Sequence, residues 1–101
     1  MPDITIPLSK PITAHDKKIT SLVLREPGYT DIMTLGEPSA FARDAAGMVY
    51  TAEKDEVIKA YIERLLVDVD PLLLTQLNAP DTFKLRDAVH GFFSAARQPT
   101  T

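Results

Sequence analysis

The spacing of the apolar residues changes along this 101-residue chain, and this change restricts the fold more than any other feature. Near the N-terminus Ile4, Ile6 and Leu8 recur at every second position, which is typical of a strand with one buried face. From residue 57 onward the apolar residues recur three and four positions apart, as they do on one face of a helix. The order, strands first and helices after, predicts an α+β fold.

We expect residues 3–25 to form an antiparallel β-hairpin. The connection over residues 14–18 is polar, and the second strand contributes its own apolar residues: Ile19, Leu22, Val23 and Leu24. Pro7 and Pro11 cannot donate to a ladder, so they must lie on an edge or face outward. A two-stranded hairpin is barely stable alone, and this one must therefore pack against the later part of the chain.

A short helix is predicted over 29–36, because Pro27 and Gly28 break the strand and Gly36 is a common stop signal. Asp31 would lie in its first turn, where a negative charge complements the helix dipole. A long amphipathic helix is predicted over 53–67, with Thr51 as its N-cap. Its apolar face is Val57, Ile58, Tyr61, Ile62, Leu65, Leu66 and Val69.

Two further helices are predicted near the C-terminus. Asp70 followed by Pro71 is a typical N-cap and first position, which opens a short helix over 70–77. The pattern restarts at Asn78 for a helix over 80–95, and residues 96–101 would form a flexible tail. The apolar stripe of that last helix is Leu85, Ala88, Val89, Phe92 and Phe93.

The stretch 39–51 leaves two alternatives open, a second short hairpin around Gly47 or an ordered loop. With either alternative the prediction is one α+β domain over 1–101, because domains of this size are common. In that domain the N-terminal antiparallel hairpin packs against three to four helices.

Charge and composition exclude several classes of function. The chain has 11 basic and 14 acidic residues, a net charge of −3, and no stripe of Lys and Arg that nucleic acid would select. No apolar run approaches the roughly 20 residues that a membrane span needs. The N-terminal sequence does not resemble a signal peptide, which predicts a cytoplasmic protein. Without cysteine there is no disulfide, thiol nucleophile or Cys-ligated zinc.

We also expect no catalytic residues, no cofactor and no metal. The two histidines are His15, in the hairpin turn, and His90, which has only Asp87 at ligand spacing on the last helix. The D-x-D of Asp68 and Asp70 lacks the glycine and glutamate of a calcium loop. The serines have no nucleophile motif, and the four scattered glycines cannot form a phosphate-binding loop.

The remaining signal is apolar surface. The adjacent rings of Phe92 and Phe93 point about 100° apart on a helix, and Leu72 belongs to a run of three leucines on a short one. Either these side chains all lie in the core, or some form a patch that binds a partner chain. Our hypothesis for a docking surface is Phe92, Phe93 and Leu72, with the edge of the N-terminal hairpin as a second candidate through strand addition.

Two short motifs stand out near the N-terminus, residues 8–12 (LSKPI) and 24–27 (LREP), with Asp31 four positions after the second. They match the strand patterns "L-x-x-P-I" and "L-R-E-P" of a known family, so the N-terminal sequence resembles that of the tail assembly chaperones of Mu-like and P2-like tailed phages and prophages. The C-terminal match lies in residues 70–77 (DPLLLTQL), Asp81 and residues 88–93 (AVHGFF). The order and spacing of these motifs are more specific than any one of them.

The resemblance implies a non-enzymatic chaperone that binds the phage tape-measure protein and keeps it soluble. It further implies that tail tube protein replaces the chaperone as the tube grows. Such a protein acts in the host bacterial cytoplasm and is absent from the mature virion. Two alternatives remain, a structural or connector protein retained in the tail and a small prophage regulatory binding protein.

Overall fold

The computed structural model describes residues 3–97 and confirms the α+β class. A β-hairpin, a short helix and a second hairpin precede the three helices of the C-terminal half. The elements are β1 (Ile4–Ala14), β2 (Lys17–Leu24), α1 (Tyr29–Leu35), β3 (Ser39–Arg43), β4 (Val49–Glu53), α2 (Asp55–Leu65), a 3₁₀ helix (Pro71–Gln76) and α3 (Ala79–Arg97).

The first hairpin pairs β1 with β2 through a tight turn. His15 and Asp16 both have positive φ, 47° and 64°, which a two-residue hairpin turn requires. The regular ladder is interrupted between Pro7 and Ile12. Because a proline cannot donate to a ladder, an irregular stretch on an outer strand is where both prolines are tolerated, as predicted.

The core lies between one face of this hairpin and the two long helices. Its hairpin residues follow the period-two pattern, and its helix residues follow the predicted stripes. The buried apolar side chains are Ile6, Ile12, Leu22, Leu24, Ile58, Tyr61, Ile62, Leu65, Leu85, Val89 and Phe92.

Helix α2 is shorter at both ends than predicted. Its C-terminus becomes extended at Leu66, because this segment pairs with the hairpin: the amide of Arg25 donates to the Leu65 carbonyl (2.9 Å) and the amide of Val67 to the Val23 carbonyl (3.0 Å). Thr51 as the N-cap is wrong. It lies in β4, and Lys54 holds the N-cap position.

The second hairpin, β3–β4, forms over the stretch for which a loop was the alternative. The side chain of Asp44 stabilises its turn by accepting from the amides of Ala46 and Met48, each at 2.9 Å. Gly47 supplies a φ of 85°, which favours glycine. None of the side chains described in β3 and β4 is buried.

Side-chain caps start the last two helical elements. Asp70 accepts from the amide of Leu72 (2.9 Å), as predicted, but the element it opens is a 3₁₀ helix. Asn78 accepts from the amide of Asp81 (3.1 Å) at the start of α3. Helix α3 continues to Arg97, two residues into the predicted tail, and residues 98–101 lie outside the described part of the chain.

Candidate functional site

A groove of about 550 Å³ lies between α2, the 3₁₀ helix and α3. Its apolar lining comes from all three elements and consists of Ile58, Ile62, Pro71, Leu72, Leu74, Leu77 and Leu85. Its other lining residues include charged and hydroxyl side chains: Asp55, Lys59, Glu63, Thr75, Thr82 and Arg86. The arrangement, an apolar floor with a polar rim, is that of a surface which takes the apolar face of another chain.

The 3₁₀ helix explains why the groove keeps an exposed apolar wall. Three consecutive leucines on a tight helix point in three directions, so they cannot all reach the core. Leu73 and Leu74 pack against the core and are half-buried, whereas Leu72 is 76% exposed. The base of the groove is part of the hydrophobic core, because Ile58 and Leu85 are buried core residues.

The rim carries charges of both signs. Arg86 of α3 donates to Glu53 (2.7 Å) and Asp55 (3.0 Å), and the bond to Asp55 is the main reason that the pKa of Arg86 is raised. Lys59 and Glu63 lie one turn apart on α2 and add one charge of each sign. The rim therefore has no strong overall preference for an acidic or a basic partner.

His90, the histidine considered as a metal ligand, lies beside this rim. Its Nε2 atom is 3.3 Å from Oε1 of Glu53, and Arg86 contacts the other carboxylate oxygen of that glutamate. Over residues 3–97 the structure has no group of three or more His, Asp or Glu side chains that could hold a metal ion. The bond from Arg86 to Glu53 links α3 to the end of β4.

The structure separates the three side chains of the hypothetical docking surface. Leu72 lines the groove, but neither phenylalanine does. Phe92 is a core residue, 5% exposed. Phe93 is half-buried and packs edge-to-face on Tyr61, with ring centroids 5.2 Å apart. Of the three, only Leu72 is open to a partner without repacking.

Asp31 has a larger role than the helix-dipole contact that its position predicts. Its buried carboxylate accepts two bonds from Arg25 (2.8 and 3.0 Å), one from Arg64 and one from the amide of Gly28 (2.9 Å). The hydrogen bonds from Arg25 are the largest of the effects that hold the pKa of Asp31 far below its ordinary value. Tyr61 also donates its hydroxyl to Gly36, so α1 is held to α2 at both ends. Sequence reasoning missed both arginines, since they are 6 and 33 residues away.

Side chains from the C-terminal half cover the outer edge of β1. Asp81 is fully buried and accepts from the amides of Ser9 (2.9 Å) and Lys10 (3.3 Å), and these bonds lower its pKa, that of Ser9 most. The side-chain amide of Gln76 accepts a hydrogen bond from the backbone N–H of Thr13 and donates one to the Thr13 carbonyl, each 2.9 Å long. This edge, our second candidate for a docking site, is therefore already occupied at these residues.

A second exposed apolar area lies away from the groove. Met48, Val49 and Tyr50 of the second hairpin are 67%, 54% and 51% exposed, and Tyr29 and Met33 of α1 are more exposed than Val49 and Tyr50. Sequence reasoning did not select these residues. For Met48, Val49 and Tyr50 the sequence left a second hairpin or a loop open, and nothing in it shows whether another element covers them.

Among the described residues, no helix is long and apolar enough to cross a membrane. A family model described as phage tail assembly chaperone proteins, E, or 41 or 14, matches residues 5–94 of the chain. The comparisons with curated proteins and with solved structures give no match. Because the family match covers both hairpins and all the helices up to residue 94, the chain belongs to this family of phage tail assembly chaperones.

Proposed function

We propose that this tail assembly chaperone binds the phage tape-measure protein and keeps it soluble until tail tube protein replaces it. It acts by binding alone, without catalysis or a cofactor, in the host bacterial cytoplasm, and it is absent from the mature virion. The observation that supports this proposal best is the groove between α2, the 3₁₀ helix and α3, with Leu72 exposed on its wall.

The shape and lining of the groove suit a helical client. An amphipathic helix binds by laying apolar side chains, spaced three and four residues apart, into a groove of this kind. Ile58 and Ile62, one helical turn apart on α2, form the base of the groove, but both are buried. The apolar surface open to a client therefore comes mainly from Leu72, with the half-buried Leu74 and Leu77 beside it. Leu72 would then cover the client from the side. Phe92 and Phe93 support the fold behind this surface.

The mixed rim suits a client that is long and repetitive. Because charges of both signs surround the floor, helices that differ in their flanking charges are accepted with similar affinity. One such contact is weak, and many chaperones along one client hold it through avidity. Weak individual contacts also allow tube subunits to displace the chaperones one after another.

The test is co-expression of this chain with the tape-measure protein encoded by the same phage, followed by affinity capture and sizing. We expect the tape-measure protein to become soluble and to co-purify with several chaperones per client. A tape-measure protein that stays insoluble while the chaperone elutes alone would contradict the proposal. In that case the chaperone should be sought in purified particles, where its presence would indicate a structural tail component.

A matched pair of variants tests the groove itself. Leu72→Glu places a charge on its wall, and Phe83→Glu places one on an exposed ring of α3 that does not line the groove. Both side chains are mostly exposed, so both variants should fold. We expect Leu72→Glu to reduce the recovery of soluble client at least about tenfold, since a charge is excluded from an apolar contact. Equal recovery with both variants would show that the client binds elsewhere.

A further inference from the structure

The backbone of β3 presents unused hydrogen-bonding groups on its outer side. The amide of Lys54 donates to the Pro38 carbonyl (2.8 Å) and the amide of Asp44 to the Met48 carbonyl (3.0 Å). In an antiparallel ladder, the backbone N–H and C=O groups of every second residue point toward the partner strand. The even-numbered residues of β3 therefore bond to β4. The N–H and C=O groups of the odd-numbered ones point away from it: Ser39, Phe41 and Arg43.

The fold leaves this edge open while it covers the edges of the first hairpin. Asp81 and Gln76 bond to the edge of β1, and the segment 65–67 bonds to the edge of β2. For Ser39 and Arg43, the outward residues of β3 whose side chains the structure describes, no hydrogen bond links their outward backbone groups to a described residue outside the second hairpin. An open strand edge is recognised by another strand, because the main-chain groups pair irrespective of sequence.

We propose that the occupant of this edge is β3 of a second copy of the chain. The two strands pair antiparallel about a two-fold axis at Ala40, which gives a four-stranded sheet with a β4 strand at each end. In this register the outward backbone groups of Ser39 form hydrogen bonds with those of the partner's Phe41. The two-fold symmetry gives the same bonds between Phe41 and the partner's Ser39. This interface lies apart from the client groove and goes beyond the proposed function.

Charge complementarity selects this register and this strand. With the axis at Ala40, and with the register continued two residues beyond the start of β3, Glu37 of one copy would lie opposite the partner's Arg43, and the symmetry would repeat this pair. Moving the axis to Phe41 places Arg43 opposite the partner's Ser39, so the charge has no counterpart. At the axis the two copies of Ala40 face each other as a non-hydrogen-bonded pair, in which the side chains lie close together. The small, exposed side chain of Ala40 allows this close approach.

The edge of β4 is a poorer site for a second copy. Antiparallel self-pairing about Thr51 would place Lys54 opposite the partner's Met48, and Glu53 opposite the partner's Val49. Neither charge would then face an opposite one.

Pairing with a second copy also explains how the second hairpin can be stable although none of its described side chains is buried. A hairpin of two strands is marginal in water, whereas three or more strands can be stable. Since none of the described side chains of β3 and β4 is buried, packing against the core contributes little to the stability of the second hairpin. A second copy doubles the number of strands without involving any residue of the groove.

Disulfide trapping tests the register directly, because the chain has no native cysteine. The variant Ala40→Cys places the two thiols opposite each other at the axis, within the Cα separation that a disulfide spans. The control is Ala52→Cys, which faces Ala40 across the hairpin but lies on β4. We expect mild oxidation to convert most of the first variant, and little of the second, into a covalent dimer. Equal conversion of the two, or none of the first, would overturn the proposal.

The unmodified chain provides the second test, by sedimentation equilibrium over increasing concentration. We expect the mass to rise from the 11.1 kDa of one chain toward twice that value. A single-chain mass up to about 1 mM, the weak limit of specific association, would overturn the proposal. Ser39→Pro removes one outward amide of β3 and should abolish the dimer, whereas Thr51→Pro removes one of β4 and should not. If both prolines act alike, the edge of β3 is not the interface.

A charge exchange tests the proposed pair. Arg43→Glu alone should weaken association about tenfold, because it places two carboxylates opposite each other. Adding Glu37→Arg to it should restore association, since the pair is then only reversed. Failure of the double variant to recover, with an unchanged circular dichroism spectrum, contradicts the register. The groove variant Leu72→Glu should dimerise normally, so this proposal and the proposed function fail by different measurements.

Discussion

The two hairpins of this chaperone have the same local structure and different surroundings. The first hairpin buries four apolar side chains, Ile6, Ile12, Leu22 and Leu24, and its edges are covered by other parts of the chain. The second buries none of its described side chains and keeps an open edge. Pairing of two strands is thus not what holds either hairpin in place. Burial against the helices stabilises the first, whereas the second has no comparable burial among its described side chains.

The difference begins in the pattern of the strands. In the first hairpin, apolar residues alternate with polar ones, so one face is apolar and joins the core. In β4 the neighbouring residues Val49 and Tyr50 lie on opposite faces of the strand, and both remain more than half exposed. The described part of the single chain therefore leaves about half of each of these two side chains uncovered.

The largest expected effect comes from truncating one apolar side chain in each hairpin. Leu24→Ala removes a fully buried side chain and should lower the free energy of unfolding by about 2–5 kcal/mol. Val49→Ala removes one that is 54% exposed and should change it by less than about 0.5 kcal/mol. Denaturant titration below the concentration of self-association measures both. A large loss from Val49→Ala would mean that the single chain does cover the second hairpin.

The next largest effect concerns Asp31, which holds the helix between the two hairpins. Asp31→Asn should cost about 1–3 kcal/mol at neutral pH, because its charged hydrogen bonds are weakened. We place it toward the lower end, since Arg25 and Arg64 are about 40% exposed and partly screened.

The same variant should change how stability depends on pH. The folded-state pKa of Asp31 lies below its ordinary value of 3.8, so its contribution is complete above about pH 4. It is lost progressively as the pH falls from about 4 toward the folded-state pKa, because the unfolded chain takes up the proton first. Thermal midpoints measured between pH 5 and pH 2 should therefore fall less steeply for Asp31→Asn. A residual slope is expected from Asp81, whose pKa is also lowered. Parallel curves for the two proteins would contradict this role of Asp31.

The smallest expected effect on stability concerns the outer edge of β1, which Gln76 covers, in contrast to the open edge of β3. Gln76→Ala removes two exposed hydrogen bonds to Thr13 and should cost about 1 kcal/mol. Hydrogen exchange should accelerate at the amide of Thr13, which loses its acceptor. The amides of Ala40 and Ala42, bonded within the second hairpin, provide the control and should not change. An unchanged rate at Thr13 would show that Gln76 does not cover this edge in solution.

The predictability of the fold and of the site depends on the range of the forces involved. The period-two run at Ile4 and Ile6 predicted the first hairpin, and the cap at Asp70 was predicted from two adjacent residues. The helix end at Leu65 was missed, because a strand about 40 residues earlier competes for the backbone there. For the site, Leu72 was selected from a run of leucines. Phe92 was selected by the same reasoning, and it lies in the core.

The sequence by itself determined the fold class, the helices that carry the apolar stripes, and the family of tail assembly chaperones. Periodicity, caps and turns depend on neighbours within a few residues, and these can be read along the chain. Only the tertiary structure decided which apolar side chains stay exposed and which strand edges are covered. Exposure and cover depend on residues such as Asp81, which meets Ser9 across 72 positions. No local pattern encodes such a meeting, because it results from how all the elements pack together.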